Sequence, residues 1–354
     1  MKAEFIGAMA AVLLAAGPAV GQTHAHWPAD WNNWNDPALW VTVGNAGNTA
    51  DTPDTRHGTY GAVAYEYNIG KYEVTAGQYA AFLNAVAKTD TYGLYNSTMA
   101  DTSYGSGIAQ TSGTGGYVYT VDSAFINRPV NFVSWGDAAR FTNWLTNGQG
   151  NGSTETGAYN LNGAMTYAEL WAMVVPTATE RATWSTGAKP YFLLTSEDEW
   201  YKAAYHDKDA ALVATYFDYP TSSNSVPSND LVKPTDPGNN ATFYDRGYTI
   251  STYYRTEVGE HENSDSPYGT FDQGGNVWEW NEAVIYACRG LRGGSFSYDD
   301  VNLLASYRYN IIGSPANEGS RVGFRVSEVP EPASMAVLAL GSIGMLLRRR
   351  KLGR

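Results

Sequence analysis

The side chains that most often carry chemistry are few in this chain of 354 residues, and they are widely spaced. There is one cysteine, Cys288, so no disulfide can form within the chain and no structural zinc site can be built from cysteines. We expect Cys288 to be a small buried hydrophobic residue. Thiol chemistry that needs two cysteines is therefore excluded within one copy.

The five histidines offer no shared metal site either. His24 and His26 fall near the N-terminus, and His57, His206 and His261 are far apart in loop-like segments. We interpret them as isolated surface histidines.

Serine chemistry also lacks its usual signature. The sequence contains no G-x-S-x-G elbow. Ser295 lies in a Gly-Gly-Ser-Phe segment, and no histidine follows it to act as a base. The residues thus give no positive indication of a hydrolase.

The composition describes a soluble, acidic, aromatic-rich protein. It has 35 acidic and 23 basic residues, a net charge of -12, 43% apolar residues and 14% aromatic residues. Charged residues make up 16%, below the ~25% that is usual, while glycine (37) and tyrosine (26) are abundant. Without an internal basic cluster, such a chain would repel phosphate backbones, so we expect no nucleic-acid partner.

The N-terminus predicts an export signal. Lys2 precedes twelve apolar residues (5–16), and Ala19, Val20 and Gly21 supply small residues for a signal peptidase. Twelve residues are too few to span a bilayer of ~30 Å. We therefore predict a signal peptide at 1–21, removed near Gln22.

The C-terminus carries a second targeting signal. Pro330-Glu331-Pro332 is followed by fifteen apolar residues (333–347) and by the basic cluster 348–351. This tail, residues 329–354, resembles the PEP-CTERM sorting signal of Gram-negative bacteria. The resemblance implies a transient membrane helix and processing by an exosortase-type membrane protease, then release to the cell surface or secretion. Residues 23–328 then keep 33 acidic and 17 basic residues, a charge of -16.

Three helices are predicted from capping boxes, in which a Ser or Thr hydroxyl caps the helix and a side chain three residues later reaches back. The apolar residues that follow each box recur at helical spacing. The boxes are Thr75 with Gln78, Ser134 with Asp137, and Ser196 with Glu199.

Short strands are predicted between long irregular segments. The strands are 65–71, 129–133, 276–280 and 322–326. The segments 89–127, 146–166 and 206–265 are rich in Gly, Ser, Thr and Asn. So much irregular backbone needs something further to hold it.

Several of these segments together resemble one family. The motifs lie in family order at 67–75 (YNIGKYEVT), 128–135 (RPVNFVSW), 193–200 (LLTSEDEW), 268–280 (YGTFDQGGNVWEW), 292–296 (RGGSF) and 322–325 (VGFR). They resemble the sulfatase-modifying factor family, also called the formylglycine-generating enzyme family, over residues 37–328. The resemblance implies an α+β fold, a complex variant of the C-type lectin fold, with small twisted sheets, few helices and loops pinned by calcium.

The family's oxidases hold copper(I) between two cysteines, and soft thiolates are what that ion prefers. By resemblance, the two positions fall on Tyr298 and Leu303, which cannot ligate copper. We therefore expect no copper and no catalytic residue, and Cys288 cannot rebuild the pair.

The family's calcium site is retained in sequence. By resemblance, its ligands fall on the side chain of Asp272, the carbonyls of Gly275 and Val277, and the side chain of Glu279. Oxygen ligands of this kind suit a hard cation. The alternative is that Glu279 pairs with an arginine such as Arg292 or Arg325.

Two hypotheses about function follow. The first is an exported, non-catalytic binding or structural module of the extracellular matrix, with a polysaccharide or protein ligand. The second is an extracellular oxidase of the formylglycine-generating kind, which the missing cysteines disfavour. An N-terminal Trp-rich segment, 22–36, precedes the domain; Trp27, Trp31 and Trp34, with Trp40 just beyond, could dock on the domain or contact an external partner.

Overall fold

The computed structural model describes residues 27–329 apart from 29, 55–57, 185–189, 211, 233–234 and 310–313. The α-helices of this part are α1 Ala76–Val86, α2 Trp135–Thr146, α3 Tyr167–Trp171, α4 Ala178–Trp184 and α5 Glu197–Tyr205. The strands are β1 Trp40–Val43, β2 Asp51–Asp54, β3 Gly58–Tyr60, β4 Tyr67–Gly70, β5 Ile108–Gly113, β6 Gly116–Val121, β7 Tyr191–Leu194, β8 Trp278–Ile285, β9 Cys288–Arg292, β10 Val322–Gly323 and β11 Val326–Val329.

The strands form small sheets, as the predicted α+β class requires. One sheet has the order β1-β4-β11-β7 and is antiparallel throughout. A second has the order β10-β8-β9, with β10 parallel to β8. The pairs β2-β3 and β5-β6 stand apart. The main hydrophobic core lies around α1, α2 and both larger sheets, and phenylalanine, tyrosine and tryptophan fill much of it.

The three predicted helices are confirmed where their capping boxes placed them. The Thr75 hydroxyl accepts from the Gln78 amide at 3.2 Å, and the Gln78 side chain accepts from the Thr75 amide at 2.9 Å. The boxes of α2 and α5 are complete in the same way. Asn147 and Gly148, with φ 81° at the glycine, end α2.

Two further helices were missed although they carry the same signature. Thr166 and Glu169 cap α3, and Thr177 and Glu180 cap the start of α4. The hairpin β5-β6 was missed too, and it lies inside a segment that sequence reasoning treated as irregular. These elements are short, so their periodicity carried little weight against the surrounding polar residues.

Of the predicted strands, one is absent and one is shortened, and each contains a residue in the left-handed region. The segment 129–133 forms no strand, only a single bridge from Pro129 to Thr75, because Phe132 has φ 58°. The predicted strand 276–280 begins only at Trp278, because Asn276 has φ 51°. Extended pairing cannot pass through either residue.

The predicted strand 322–326 is divided between the two larger sheets. Val322 and Gly323 pair with β8, whereas the chain from Val326 onward pairs with β4 and β7. Phe324 and Arg325 make the crossing, and both are fully buried. The guanidinium of Arg325 is therefore placed between the sheets.

The long irregular segments are held by buried side chains that bond to backbone carbonyls. The amide of Asn143 donates to the carbonyls of Thr154 and Tyr159, each at 2.9 Å. Arg255 and Arg289 do the same for other loops. Such bonds satisfy carbonyl groups that regular secondary structure would otherwise pair.

The tryptophans of the N-terminal segment dock on the domain. Trp27 donates through Nε1 to the carbonyl of Val258 at 2.9 Å. Trp34 is buried against Phe141 with ring centroids 5.6 Å apart, and Trp31 packs beside the core. In the described structure these tryptophans thus contact the domain, which is the first of the two alternatives.

Within the described residues 27–329, no helix combines the length and the apolarity that crossing a membrane requires. The predicted signal peptide 1–21 and the apolar stretch 333–347 lie outside the described residues.

Candidate functional site

Glu279, one of the predicted calcium ligands, forms a buried ion pair. It lies on β8 and is 1% exposed. Its two carboxylate oxygens accept from Arg325 at 2.6 and 2.7 Å, and one of them also accepts from the indole of Trp200 at 2.6 Å. This bidentate geometry is the strongest form of the arginine–carboxylate contact. Of the two arginines that the sequence offered, Arg325 is the partner.

Asp272 lies just before the same strand. Its backbone is in the left-handed region, with φ 60°, and its carboxylate accepts from the amide of Gly259 at 2.6 Å. Gly275 follows with φ 91°; a Cβ there would lie 2.2 Å from the carbonyl of Thr242, so only glycine fits. The segment that carries the predicted ligands is thus tightly fixed.

A third carboxylate, Glu73, joins this group, and sequence reasoning missed it. It is 1% exposed, Oε2 accepts from Asn276 at 3.3 Å, and Oε1 has no hydrogen-bond partner in the described structure. Burial raises the pKa of Glu73 well above its usual value, and the charges of Asp272 and Glu279 raise it further against Arg325. Glu73 lies in the motif at 67–75, but 203 positions separate it from Asn276. Its approach to Asp272 and Glu279 therefore depends on the fold.

These residues match a hard cation in donor type. The predicted set offers two carboxylates and two main-chain carbonyls, and the orphaned oxygen of Glu73 is a buried acceptor that a cation would satisfy. No three His, Cys, Asp or Glu side chains in the described part of the chain are grouped so as to hold a metal ion by themselves. The calcium assignment to Asp272, Gly275, Val277 and Glu279 stays a prediction.

The two positions of the family's copper cysteines are occupied by packed side chains. Leu303 is fully buried in a cluster with Ala241 and Phe243. Tyr298 is half-buried, packs edge-on against Trp278 with centroids 5.5 Å apart, and shares a hydrogen bond of 3.2 Å with the Tyr309 hydroxyl. Both positions are thus hydrophobic or aromatic contacts.

Cys288 is the first residue of β9, opposite Ile285 in the hairpin with β8. The expectation of a buried residue was wrong in degree, because the thiol side chain is half-buried. The hairpin turn beside it brings the cysteine close to solvent.

The two described histidines, His206 and His261, share no metal site, and the expectation that they lie on the surface was wrong for both. His206 is fully buried and its Nδ1 is 2.9 Å from the Tyr268 hydroxyl. His261 is 3% exposed and its Nε2 is 3.1 Å from the Thr242 hydroxyl. Burial lowers the pKa of His206, which favours the neutral ring. The remaining histidines lie outside the described residues.

The family assignment follows from the chain as a whole. The sulfatase-modifying factor enzyme 1-like domain matches residues 27–329. The chain therefore belongs to that family, and its fold is the formylglycine-generating-enzyme fold that the motifs indicated. Residues 328–351 match the PEP-CTERM protein-sorting motif, which supports export and C-terminal anchoring and implies processing by an exosortase.

Solved structures with the same outline are distant in sequence. Treponema denticola variable protein 1 is 21% identical with a TM-score of 0.49, and the match covers 82% of this chain and 95% of that protein. CarF is 20% identical, with a TM-score of 0.46 and coverages of 81% and 97%. PvdO from Pseudomonas aeruginosa is 16% identical, with a TM-score of 0.42 and coverages of 82% and 90%. Among curated proteins no match is found.

Proposed function

We propose that this chain is an exported binding module of the sulfatase-modifying factor family that performs no copper chemistry. One observation carries the proposal: Tyr298 and Leu303 stand at the copper positions, and both are built into the packing of the domain. Copper(I) held for oxidation of a cysteine needs two thiolates, and the chain has one cysteine in total.

Export supplies the setting for such a module. The sorting motif begins as β11 ends at Val329, so processing near Pro330 leaves the described strands intact. The released protein would reach the cell surface or the extracellular matrix, where a binding domain acts on polysaccharides or on other proteins.

Catalysis is tested with the purified exported protein. We expect no formylglycine from a cysteine-containing sulfatase peptide incubated with copper-loaded protein, oxygen and a reductant. The matched control is Cys288→Ser, which removes the single thiol. Turnover by the natural chain above that control would contradict the proposal and restore the oxidase.

Calcium is proposed as a structural ion at Asp272 and Glu279. At a hundredfold excess over its Kd, an ion that binds only the native state adds about 2.7 kcal/mol of stability. For a domain of this size we expect a rise of several degrees in the melting temperature. Chelation should reverse the rise, and Asp272→Ala, which leaves the pair of Glu279 with Arg325 in place, should abolish it. Melting that is unaffected by chelation would show that the ion does not bind.

A further inference from the structure

Four tyrosines form an aromatic surface beside the positions that resemblance assigns to the family's copper cysteines. Tyr104, Tyr244 and Tyr248 are 42%, 41% and 39% exposed, and Tyr254 is half-buried between them. We call these four residues the tyrosine surface. It borders the copper positions because the amide of Tyr244 donates to the carbonyl of Tyr298 at 2.9 Å.

The rings of the tyrosine surface are in continuous contact. Tyr104 stacks on Tyr254 with centroids 4.3 Å apart and planes 10° apart. Tyr248 stands edge-on to Tyr254 at 4.8 Å, and Tyr244 meets Tyr248 at 5.1 Å. Phe296, which is 1% exposed, lies beneath them, 5.8 Å from Tyr254. The result is a platform of linked rings on an aromatic base.

The platform is held in place by the backbone. Tyr254 has φ 60°, a conformation that a bulky residue adopts only where its surroundings enforce it and that often marks a functional site. The next residue, Arg255, is fully buried, and its guanidinium donates to the carbonyl of Tyr104 at 3.0 Å and to that of Gly105. The stacked pair Tyr104 and Tyr254 is therefore fixed before any ligand arrives, which lowers the entropic cost of binding.

Charged residues of both signs lie beside the platform, and the chain between the two sorting signals carries -16. Asp245 and Arg246 lie next to each other between Tyr244 and Tyr248. Arg321 lies over the ring of Tyr298, with its guanidinium carbon 5.4 Å from the centroid. A polyanion would be repelled by the net negative charge of the rest of the protein. The chemistry favours an uncharged ligand.

We propose that the tyrosine surface binds a neutral polysaccharide, an inference that rests on the proposed binding function. The C–H faces of sugar rings would stack on the open faces of Tyr104 and Tyr248. Each phenol hydroxyl lies at the rim of its ring and can exchange hydrogen bonds with sugar hydroxyls. Tyrosine supplies large, rigid, amphipathic contact area at little entropic cost, and the exposed members of this surface are all tyrosines.

Affinity electrophoresis of the purified exported protein tests the proposal. Native gels contain hydroxyethylcellulose, galactomannan or dextran as neutral polymers, and alginate as the anionic control. We expect retardation by at least one neutral polymer and none by alginate. Tyr104→Ala and Tyr248→Ala should each weaken the interaction about tenfold, which corresponds to about 1.4 kcal/mol of binding free energy. Tyr104→Phe, which keeps the ring, should retain most of it.

The matched control is Tyr286→Ala, because Tyr286 is 86% exposed and lies at the tip of the β8-β9 hairpin. It should bind like the natural chain, and all variants should melt as the natural chain does. Absence of retardation in every neutral polymer, or equal retardation of Tyr104→Ala, would overturn the proposal. So would a dimer in sedimentation that Tyr104→Ala dissociates while no polymer is bound, since the surface would then be a contact between copies. None of these outcomes bears on the copper test, which fails or succeeds separately at Cys288.

Discussion

The buried ion pair of Glu279 and Arg325 offers a sharp test of how the two sheets are joined. Arg325 is the positive group among three carboxylates, Glu73, Asp272 and Glu279, each of which raises its pKa. It also donates to the carbonyls of Gly70 and Phe271 at 2.9 and 2.8 Å. Removing either partner should therefore destabilise the fold, but not equally.

The expected loss in the free energy of unfolding depends on which buried groups each substitution leaves without a partner. Breaking a buried ion pair costs about 3–5 kcal/mol because an unpaired charge remains inside. Glu279→Gln should fall at the low end, about 3 kcal/mol, since Glu73 and Asp272 still face the guanidinium. Arg325→Met should cost about 5 kcal/mol or more, because it leaves the Glu279 carboxylate without its ion-pair partner and leaves two backbone carbonyls without their donor. An unpaired buried acceptor costs about 1–3 kcal/mol.

Urea unfolding at neutral pH in chelator measures both losses. The control is Arg308→Met, whose partner Glu197 keeps its bond to Arg292 and whose own side chain is 21% exposed, so its cost should stay below about 1 kcal/mol. If Arg325→Met fails to fold, the loss of unfolding free energy in Glu279→Gln is compared with that of the control alone. A larger loss for Glu279→Gln than for Arg325→Met, or a loss no greater than the control's, would refute the reasoning.

Three further outcomes are expected. Burial raises the pKa of Glu73 above its usual 4.5. In chelator, its contribution to stability is therefore present at low pH and is lost as the pH rises through the raised pKa. Urea unfolding should show Glu73→Gln gaining stability relative to the natural chain over the same pH range. Mass spectrometry of the exported protein should find a start near Gln22 and an end near Pro330, and an intact Arg354 outside the cell would contradict the sorting assignment. A stop after Pro332 should leave the melting temperature unchanged, whereas a stop after Arg325 should abolish folding, because β11 lies between β4 and β7.

Sequence reasoning succeeded where the determinant is local. The box of Thr75 and Gln78 acts across three residues, so the sequence is sufficient to place the start of α1. Thr166 and Glu169 form the same capping box at the start of α3, and the sequence is sufficient to place that helix too. Phe132 shows the limit of such reasoning. Its left-handed backbone depends on surroundings that no window of sequence contains, and the strand that the side-chain pattern favoured does not form there.

The candidate sites divide in the same way. Asp272 and Glu279 lie on one continuous motif, so their proximity could be inferred from resemblance. Glu73 reaches them only through the fold, by way of the side chain of Asn276. Tyr104 and Tyr254 are separated by about 150 residues in the chain. Their stacking depends on Arg255, which is the next residue after Tyr254 and donates a hydrogen bond to the carbonyl of Tyr104. Long-range pairs of this kind leave no mark in a single sequence.

Leu303 shows how the fold packs one of the family's copper positions with a side chain other than cysteine. Its side chain packs on Gly294, where a Cβ would lie 2.7 Å from the leucine methyl group and where the backbone has φ 77°. The glycine thus leaves the room that the leucine fills. A cysteine there would be smaller and would leave a cavity, which core packing penalises. A thiolate pair at the family's copper positions would require cysteines in place of both Tyr298 and Leu303, and the second substitution would disturb a packed core.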